Sequence, residues 1–459
     1  MKHFLRISAF VFALSATIVP NASAGQKNLT MEECLKLTLD YSRDILLARE
    51  GINISEGRYI EERASAFPYI GTETSIKRYR DEAIEKTGLP PTYSKILGIP
   101  SPTLEQSEME SKLTLAQPVF TWGQVSAAIN AAKHDMKSSE FKLQEVRQLA
   151  LRESATVFYA LLLGMELEKT AKDSIAQKQR HLNEAERKFK MEVATDYDVL
   201  SARVALTNAE PELTRVQNSI RLLKDRVRYF TGMEGDFEAK GTLVCDIEKP
   251  ENLEKILSEA NANRPDIKYY MSQVDTFNEL VKVAKGSNKP RLDLKGELGI
   301  KKYVEHGEEY PGKNWNAGLY LTFPLFDGLR GKGQVMQAES RVTSYEVELK
   351  KLQDQILLDA RQAINDVNEA IEIVKSLEAT TVQAERLLQM AEAGYKYGVK
   401  TKLEVDDADS NLLSARINLA KARHDYLTAK TKLNWVKGLD LNECLANNCK
   451  AMNGKNDKL

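Results

Sequence analysis

The sequence predicts a mostly α-helical protein with a small β part, in which a strand hairpin followed by a long helical hairpin occurs twice. Three observations predict this fold class. Segments about half a chain apart match each other, two stretches alternate apolar and polar residues, and apolar residues recur at heptad spacing over very long stretches.

The internal repeat is carried by matching segments. "QPVFTWGQ" resembles "FPLFDGLR", so that Pro118 matches Pro324 at an offset of 206 residues, and Gly232 matches Gly438 at the same offset. Upstream, "ASAFPYI" matches "GSNKPRL" at an offset of 222 residues, and the first copy has extra length in a Pro/Gly-rich loop between these two blocks. We predict a signal peptide over 1–24, a first repeat over 25–232, a second repeat over 233–438 and a polar tail over 439–459.

Alternation predicts the strands. In "RLDLKGELGIK" the apolar residues Leu292, Leu294, Leu298 and Ile300 share one face, and the charged residues Arg291, Asp293, Lys295, Glu297 and Lys301 share the other. The same period fits a half-buried soluble hairpin or a membrane strand of about 10 residues. The predicted strands are 67–80, 110–120, 290–302 and 314–326.

Heptad spacing predicts the long helices. In the second repeat an apolar series from Val342 to Leu377 advances in steps of three and four, with one four-residue stutter at Ile356–Ala360. A helix over 330–393 would be roughly 95 Å long, which is rare in a globular domain. The predicted helices are 123–188, 197–231, 330–393 and 402–436.

The N-terminus predicts export. A basic start, a short apolar run and an A-x-A site ending at Ala24 are typical of a cleaved secretory signal peptide. Export permits disulfides, and Cys444 and Cys449 are close enough in sequence to pair, although the spacing leaves this open. Neither the cysteines nor the five histidines predict a metal site. A net charge of −1 gives no indication of a nucleic-acid partner.

Four strands cannot close a membrane sheet by themselves, because open edges are not tolerated in lipid. If these strands enter a membrane, several chains must therefore share one barrel. Helices that follow the strands directly would continue its wall as a helical tube. Pro118 and Pro324 are placed at the two strand-to-helix joints, where we expect proline to end the sheet ladder and to fit a first helical turn.

These segments together resemble the TolC-like outer membrane efflux proteins over about residues 30–440. The resemblance is carried by the duplication, by "QPVFTWGQ" and "FPLFDGLRGKGQ", by "AGYKYGVKTKLEVDDADSNLLSAR", and by the closing "YFTG" and "WVKG". It implies a homotrimer with a twelve-strand barrel in outer membrane lipid and a twelve-helix tunnel through the periplasm. The implied partners are a periplasmic adaptor and an inner-membrane transporter of the RND, ABC or MFS type. The implied activity is passive conduction of exported substrates, which needs no cofactor.

The resemblance also implies site residues at the two helical turns. Glu404 and Asp407 correspond to an acidic ring at the tunnel entrance, where we expect crowded carboxylates to attract cations and to raise one another's pKa. An inter-helix latch corresponds to Tyr395, Lys400 and Asp198, with lysine in place of the family's arginine. Glu192 stands where the family has glycine, so the first turn is expected to differ. The expected adaptor contacts are Met191, Val193, Thr195, Gly398, Val399 and Thr401.

Two other classes of protein remain as alternatives. A periplasmic coiled-coil adaptor or structural rod would explain the long helices but not the paired strand segments inside a duplicated, exported chain. An enzyme is disfavoured, since the chain has no G-x-S-x-G, no H-E-x-x-H and no phosphate-binding loop.

Overall fold

The structure is a computed structural model, and it describes residues 27–80, 95–98, 105–244, 246–305 and 308–445. The predicted signal peptide, most of the long first-repeat loop, Cys449 and most of the tail lie outside these residues. In chain order the elements are β1 (Lys27–Thr30), α1 (Met31–Tyr41), α2 (Arg43–Ala64), β2 (Tyr69–Arg80), β3 (Glu105–Phe120), α3 (Gln124–Lys190), α4 (Asp196–Thr231), β4 (Phe237–Lys240), α5 (Leu253–Asn263), α6 (Pro265–Gly286), β5 (Arg291–Glu305), β6 (Glu308–Thr322), α7 (Arg330–Lys396) and α8 (Lys402–Val436).

The long strands form one antiparallel sheet in the order β2-β3-β5-β6. Leu298 lies opposite Leu113 on β3 and opposite Trp315 on β6, and all three side chains are at least half exposed. On the other face Lys112 contacts Glu297 at 3.3 Å, and Asn316 donates to the same carboxylate at 2.9 Å. The predicted division into an apolar face and a polar face is therefore confirmed.

The strand-to-helix joints differ from the expectation for their prolines. Pro118 lies inside β3 at a register irregularity, and α3 begins only at Gln124. Pro324 follows the end of β6, and α7 begins only at Arg330. The expectation that proline occupies the first helical turn is therefore wrong. In both joints two consecutive residues with positive φ redirect the chain instead: Trp122 and Gly123 in the first, and Gly328 and Leu329 in the second.

The long helices bury the apolar seam that the heptads predict. Ile356, Ala360, Ala363, Val367 and Val374 are at most 2% exposed. In the half of the second hairpin nearer its turn, α7 and α8 bury a separate cluster of apolar side chains: Ala384, Leu388, Ala391, Val405, Ala408, Leu412 and Ala415. At 67 residues each, α3 and α7 are about 100 Å long.

The main core surrounds a small parallel sheet near the middle of the long helices. β1 pairs with β4, and Leu29 and Phe237 on these strands are fully buried. The core continues into the adjoining parts of α3, α7 and α8, where Phe158 and Tyr426 are also fully buried. The four-stranded sheet lies at one end of the long helices, and the two turns lie at the other end. Among the described helices, none is long and apolar enough to cross a membrane.

Candidate functional site at the helical tips

The second turn is formed by residues 397–401 between α7 and α8. Gly398 adopts a left-handed φ of 75°, and the Val399 N–H donates to the Gly394 carbonyl at 2.8 Å. Gly394 itself lies inside α7. A Cβ there would come within 2.5 Å of the Lys400 side chain, so glycine leaves the space in which the chain folds back.

The first turn repeats this geometry. Glu192, equivalent to Gly398 in the repeat, adopts a φ of 60°, and the Val193 N–H donates to the Lys188 carbonyl at 3.0 Å. The expectation that glutamate makes this turn different is wrong for the backbone, because Glu192 accepts the left-handed conformation. Met191, Val193 and Val399 are all more than half exposed, so both turns present apolar side chains outward.

The second helix of each long hairpin, α4 in the first and α8 in the second, begins with a capping box. Thr401 caps α8, and its N–H donates to Glu404 at 2.8 Å while its hydroxyl accepts from the Glu404 N–H. Thr195 caps α4 through the same pair of bonds with Asp198. Asp198 and Glu404 are therefore equivalent residues of the two repeats and share one structural role, which the sequence analysis missed although the T-x-x-D and T-x-x-E spacing signals it.

The two predicted ring acids have different surroundings. Lys400 lies 2.5 Å from Glu404, and this contact, with the Thr401 N–H, lowers the pKa of Glu404 to about 2. The expected rise in its pKa therefore does not occur within the chain. Asp407 lies on the exposed side of α8, and the described residues offer it no hydrogen bond or ion pair. Asp406 pairs with Lys402 instead.

The three predicted latch residues are not bonded to one another within the described chain. Tyr395 accepts a hydrogen bond from Lys188 at 3.2 Å, and the Lys188 ammonium lies 4.3 Å from the centre of the Tyr395 ring. Lys400 binds Glu404, and Asp198 binds Thr195. The Lys188–Tyr395 contact joins the first hairpin to the second, and nothing in the local sequence of either residue identifies it.

A polar groove of about 330 Å³ lies between the tips of the two hairpins. α3 contributes Lys178 and His181, and Lys178 binds the nearly buried Asp409 of α8 at 3.3 Å. Tyr395 and Asp198 both line the groove, whereas Lys400 does not. The groove therefore brings two of the three predicted latch residues onto one surface.

His181 is one of the ionisable groups in this groove that the sequence analysis did not single out. Its ring is half-buried, and its Nε2 is buried without a hydrogen-bond partner among the described residues. Burial, followed by the positive charge of Lys402, lowers the pKa of His181. The groove therefore favours the neutral imidazole.

Comparison with known proteins agrees with this geometry. The chain matches the outer membrane efflux protein family over residues 34–232 and 256–438. It is 22% identical to the outer membrane protein TolC of Escherichia coli K12, over 83% of this chain and 80% of that protein. It is 25% identical to the cobalt-zinc-cadmium resistance protein CzcC of Cupriavidus metallidurans, over 74% and 81% respectively. The crystal structure of the Campylobacter jejuni CmeC outer membrane channel superimposes with a TM-score of 0.77 at 17% identity, covering 98% of each chain.

The chain belongs to the outer membrane efflux protein family. Its location is the outer membrane, and its function is that of an efflux channel extending into the periplasm. The family, fold class, function and location predicted from the sequence are confirmed. The alternative of a periplasmic adaptor or structural rod is not supported by any of these similarities.

Proposed function

We propose that three copies of this chain form one continuous conduit, with a twelve-strand barrel in the outer membrane and a twelve-helix tunnel in the periplasm. The observation that supports this most is the open four-stranded sheet. Its outer strands β2 and β6 each have one edge without a partner among the described residues. Free edges and an exposed apolar face are stable in lipid only if further strands close the sheet.

The conduit works passively between partners. A periplasmic adaptor docks on the two turns, at Met191, Val193, Thr195, Gly398, Val399 and Thr401, and an inner-membrane transporter of the RND, ABC or MFS type supplies the energy. The exposed apolar side chains at both turns support a docking role, since such side chains at a helical tip gain most by being covered. The chain itself catalyses no reaction, and its cargo is an efflux substrate or a secreted protein.

The entrance carries a ring of carboxylates from Glu404 and Asp407 of each copy, which selects cations and is blocked by divalent ions. Asp407 contributes more to this selection of cations than Glu404 does. The Asp407 carboxylate is exposed and unpaired in the described chain, whereas the charge of Glu404 is neutralised locally by Lys400.

The entrance is held closed by links between the hairpins, in which Tyr395, Lys400 and Asp198 take part. The bond from Lys188 to Tyr395 supports this proposal, because it ties the tip of α7 to α3. Lys400 and Asp198 would exchange their local partners for groups on a neighbouring copy.

The assembly is tested by membrane fractionation and by gel migration without boiling. We expect the protein in the outer membrane fraction and an unboiled band at about three times the chain mass. Leu294→Lys, on the apolar face of the sheet, should reduce that band. Asn316→Lys is the matched control, because it adds the same charge on the polar face beside Glu297 and should leave the band unchanged. A soluble monomer, or equal effects of both variants, would contradict the proposal.

A further inference from the structure

The apolar face of the four-stranded sheet ends in a group of basic residues. On β5 the uncharged part of this face runs from Leu292 to Ile300, and over most of this length the residues opposite on β3 and β6 are uncharged as well. Its length is roughly 27 Å along the strand, comparable with the apolar band of about 25 Å in outer membrane barrels. At and beyond Ile300 the same face carries Lys302 on β5, Lys313 on β6 and Arg78 on β2.

These basic residues lie toward the outer end of the sheet. β3 ends at Phe120 and leads into α3, and β6 ends at Thr322 and leads into α7, so these strand ends are nearest the periplasm. Lys302 and Lys313 lie near the opposite ends of their strands. In a membrane-inserted sheet they are therefore at the level of the head groups of the outer leaflet, just beyond the apolar band.

The two lysines flank a depression of about 470 Å³ on this face. Met109, Ile300 and Pro311 supply apolar side chains to its lining. Lys302 lies directly opposite Pro311 and is therefore the diagonal neighbour of Lys313, at a separation of about 7 to 8 Å. Two ammonium groups at this separation can bind one phosphate group from two sides, while an alkyl chain lies on the apolar lining.

The charge of the depression is not fully matched within the described chain. On the polar face of the sheet, Lys301 is paired with Glu108 at 2.8 Å. On the apolar face, Lys302 binds Glu309, but Lys313 is exposed and has no hydrogen bond or ion pair among the described residues. One positive charge therefore remains available beside an apolar surface.

We propose that this depression binds the phosphorylated head group of an outer-leaflet glycolipid, a lipopolysaccharide. Lys302 and Lys313 hold a phosphate group, and an acyl chain of the same lipid lies on Met109, Ile300 and Pro311. Basic pockets beside an apolar membrane surface bind anionic lipid head groups in this way. Free phosphate would leave the apolar lining uncovered, and an uncharged lipid would leave Lys313 unpaired. The inference rests on the proposed barrel, because only membrane-inserted strands bring this face to lipid.

The test is binding of fluorescently labelled diphosphoryl lipid A to the purified oligomer in detergent, followed by anisotropy. Unlabelled diphosphoryl lipid A, dephosphorylated lipid A, phosphatidylethanolamine and inorganic phosphate are the competitors. The test variants are Lys313→Gln and the double variant Lys302→Gln with Lys313→Gln. The matched control is Lys77→Gln with Lys295→Gln, which removes the same charge from the polar face of the same sheet.

We expect diphosphoryl lipid A to compete and the other three competitors to be ineffective at the same concentration. Lys313→Gln should weaken binding about fivefold and the double variant about thirtyfold, since each lysine near a membrane surface contributes a similar attraction to anionic lipid. Lys302→Arg with Lys313→Arg keeps both charges and should bind as the native protein does. The polar-face control should also bind as the native protein does.

Equal binding by the native protein and the double variant would overturn the site, as would an equal loss in the polar-face control. Equal competition by inorganic phosphate or by dephosphorylated lipid A would overturn the glycolipid as its ligand. If the double variant does not form the unboiled oligomer, Lys313→Gln decides the question, because this side chain has no partner in the described chain to lose. A native protein that never forms that oligomer would overturn the proposed assembly, and the site with it.

Discussion

Glu404 and Asp407 are three residues apart on α8, yet their carboxylates have different environments. Glu404 closes the capping box with Thr401 and binds Lys400, whereas Asp407 has neither contact in the described chain. A charge already paired within 2.5 Å contributes less to the field of an open pore than an unpaired one.

We therefore expect Asp407→Asn to weaken divalent-cation block more than Glu404→Gln does. Glutamine still serves in a capping box, so Glu404→Gln is the matched control that removes a charge and keeps the helix start. The measurement is the blocking concentration of a divalent cation on single channels. An equal or larger effect of Glu404→Gln would show that Lys400 releases Glu404 in the assembled pore.

We expect the packing of the tips to respond to pH through His181, which lies in the groove between the two hairpins. The groups that face it are Lys402, Asp406 and Asp409 of α8, Glu392 and Tyr395 of α7, Asp198 of α4, and Lys178, Glu184 and Lys188 of its own helix. The pKa of His181 is lowered from 6.5 in the folded chain, chiefly by burial. As the pH falls, the unfolded chain takes up this proton first, so stability is lost as the pH falls below about 6.5.

We expect His181→Gln to reduce the loss of thermal stability between about pH 7.5 and about pH 5. The measurement is the midpoint of thermal unfolding, followed by the helical circular dichroism signal in detergent. His134→Gln is the matched control, because His134 lies on α3 outside the groove, 3.9 Å from Asp275. If the two variants and the native chain lose the same stability, His181 is not the group that responds.

The two turns show how an element tolerates different residues at one backbone position. Glu192 and Gly398 both have positive φ, a conformation that costs a residue with a Cβ about 1 kcal/mol or more. Glycine at this position removes that cost, although it adds some freedom to the unfolded chain.

We expect Glu192→Gly to stabilise the first hairpin and Gly398→Ala to destabilise the second, each by about 1 kcal/mol. The two variants control for each other, since they change the same position of the turn in opposite directions. Thermal unfolding midpoints report the direction. A lower midpoint for Glu192→Gly would mean that the glutamate side chain makes a stabilising contact in the assembled protein.

Prediction from the sequence succeeded for elements with a strong period. The heptads over α7 correctly predicted Ile356, Ala360 and Ala363 as buried, because the spacing of apolar residues within one helix decides which residues share its buried face. The joints were predicted less well. Pro324 follows the end of its strand, but Pro118 lies inside β3. In both joints the change of direction depends on positive φ at positions such as Trp122 and Leu329, which residue type does not predict.

Prediction of the tip contacts was limited for another reason. Tyr395 was singled out correctly as a residue of the tip, but its partner Lys188 lies on a helix about 200 positions earlier. Such a contact depends on how two hairpins pack. The capping boxes, by contrast, are local, and Asp198 and Glu404 could have been predicted as caps from their threonines alone.

For the whole molecule, the internal repeat shows which exposed surfaces of the chain have equivalents that are covered inside it. Among the described residues, one edge of β2 and one edge of β6 have no partner strand, and α4 and α7 carry exposed apolar side chains. The equivalents of these features are covered inside the chain. Three copies arranged around an axis would cover all of them at once, which links the proposed trimer to the proposed channel.

The most direct test of the central claim is single-channel conductance of the purified protein in a planar bilayer, with divalent cations added to one side and then to the other. A trimeric conduit with an acidic entrance predicts small, cation-selective currents that are blocked from one side only. The Tyr395→Phe with Lys400→Ser variant should conduct more, because the entrance is less firmly held. If oligomeric protein extracted from the outer membrane shows no current, and this variant shows none either, the chain is not a conduit.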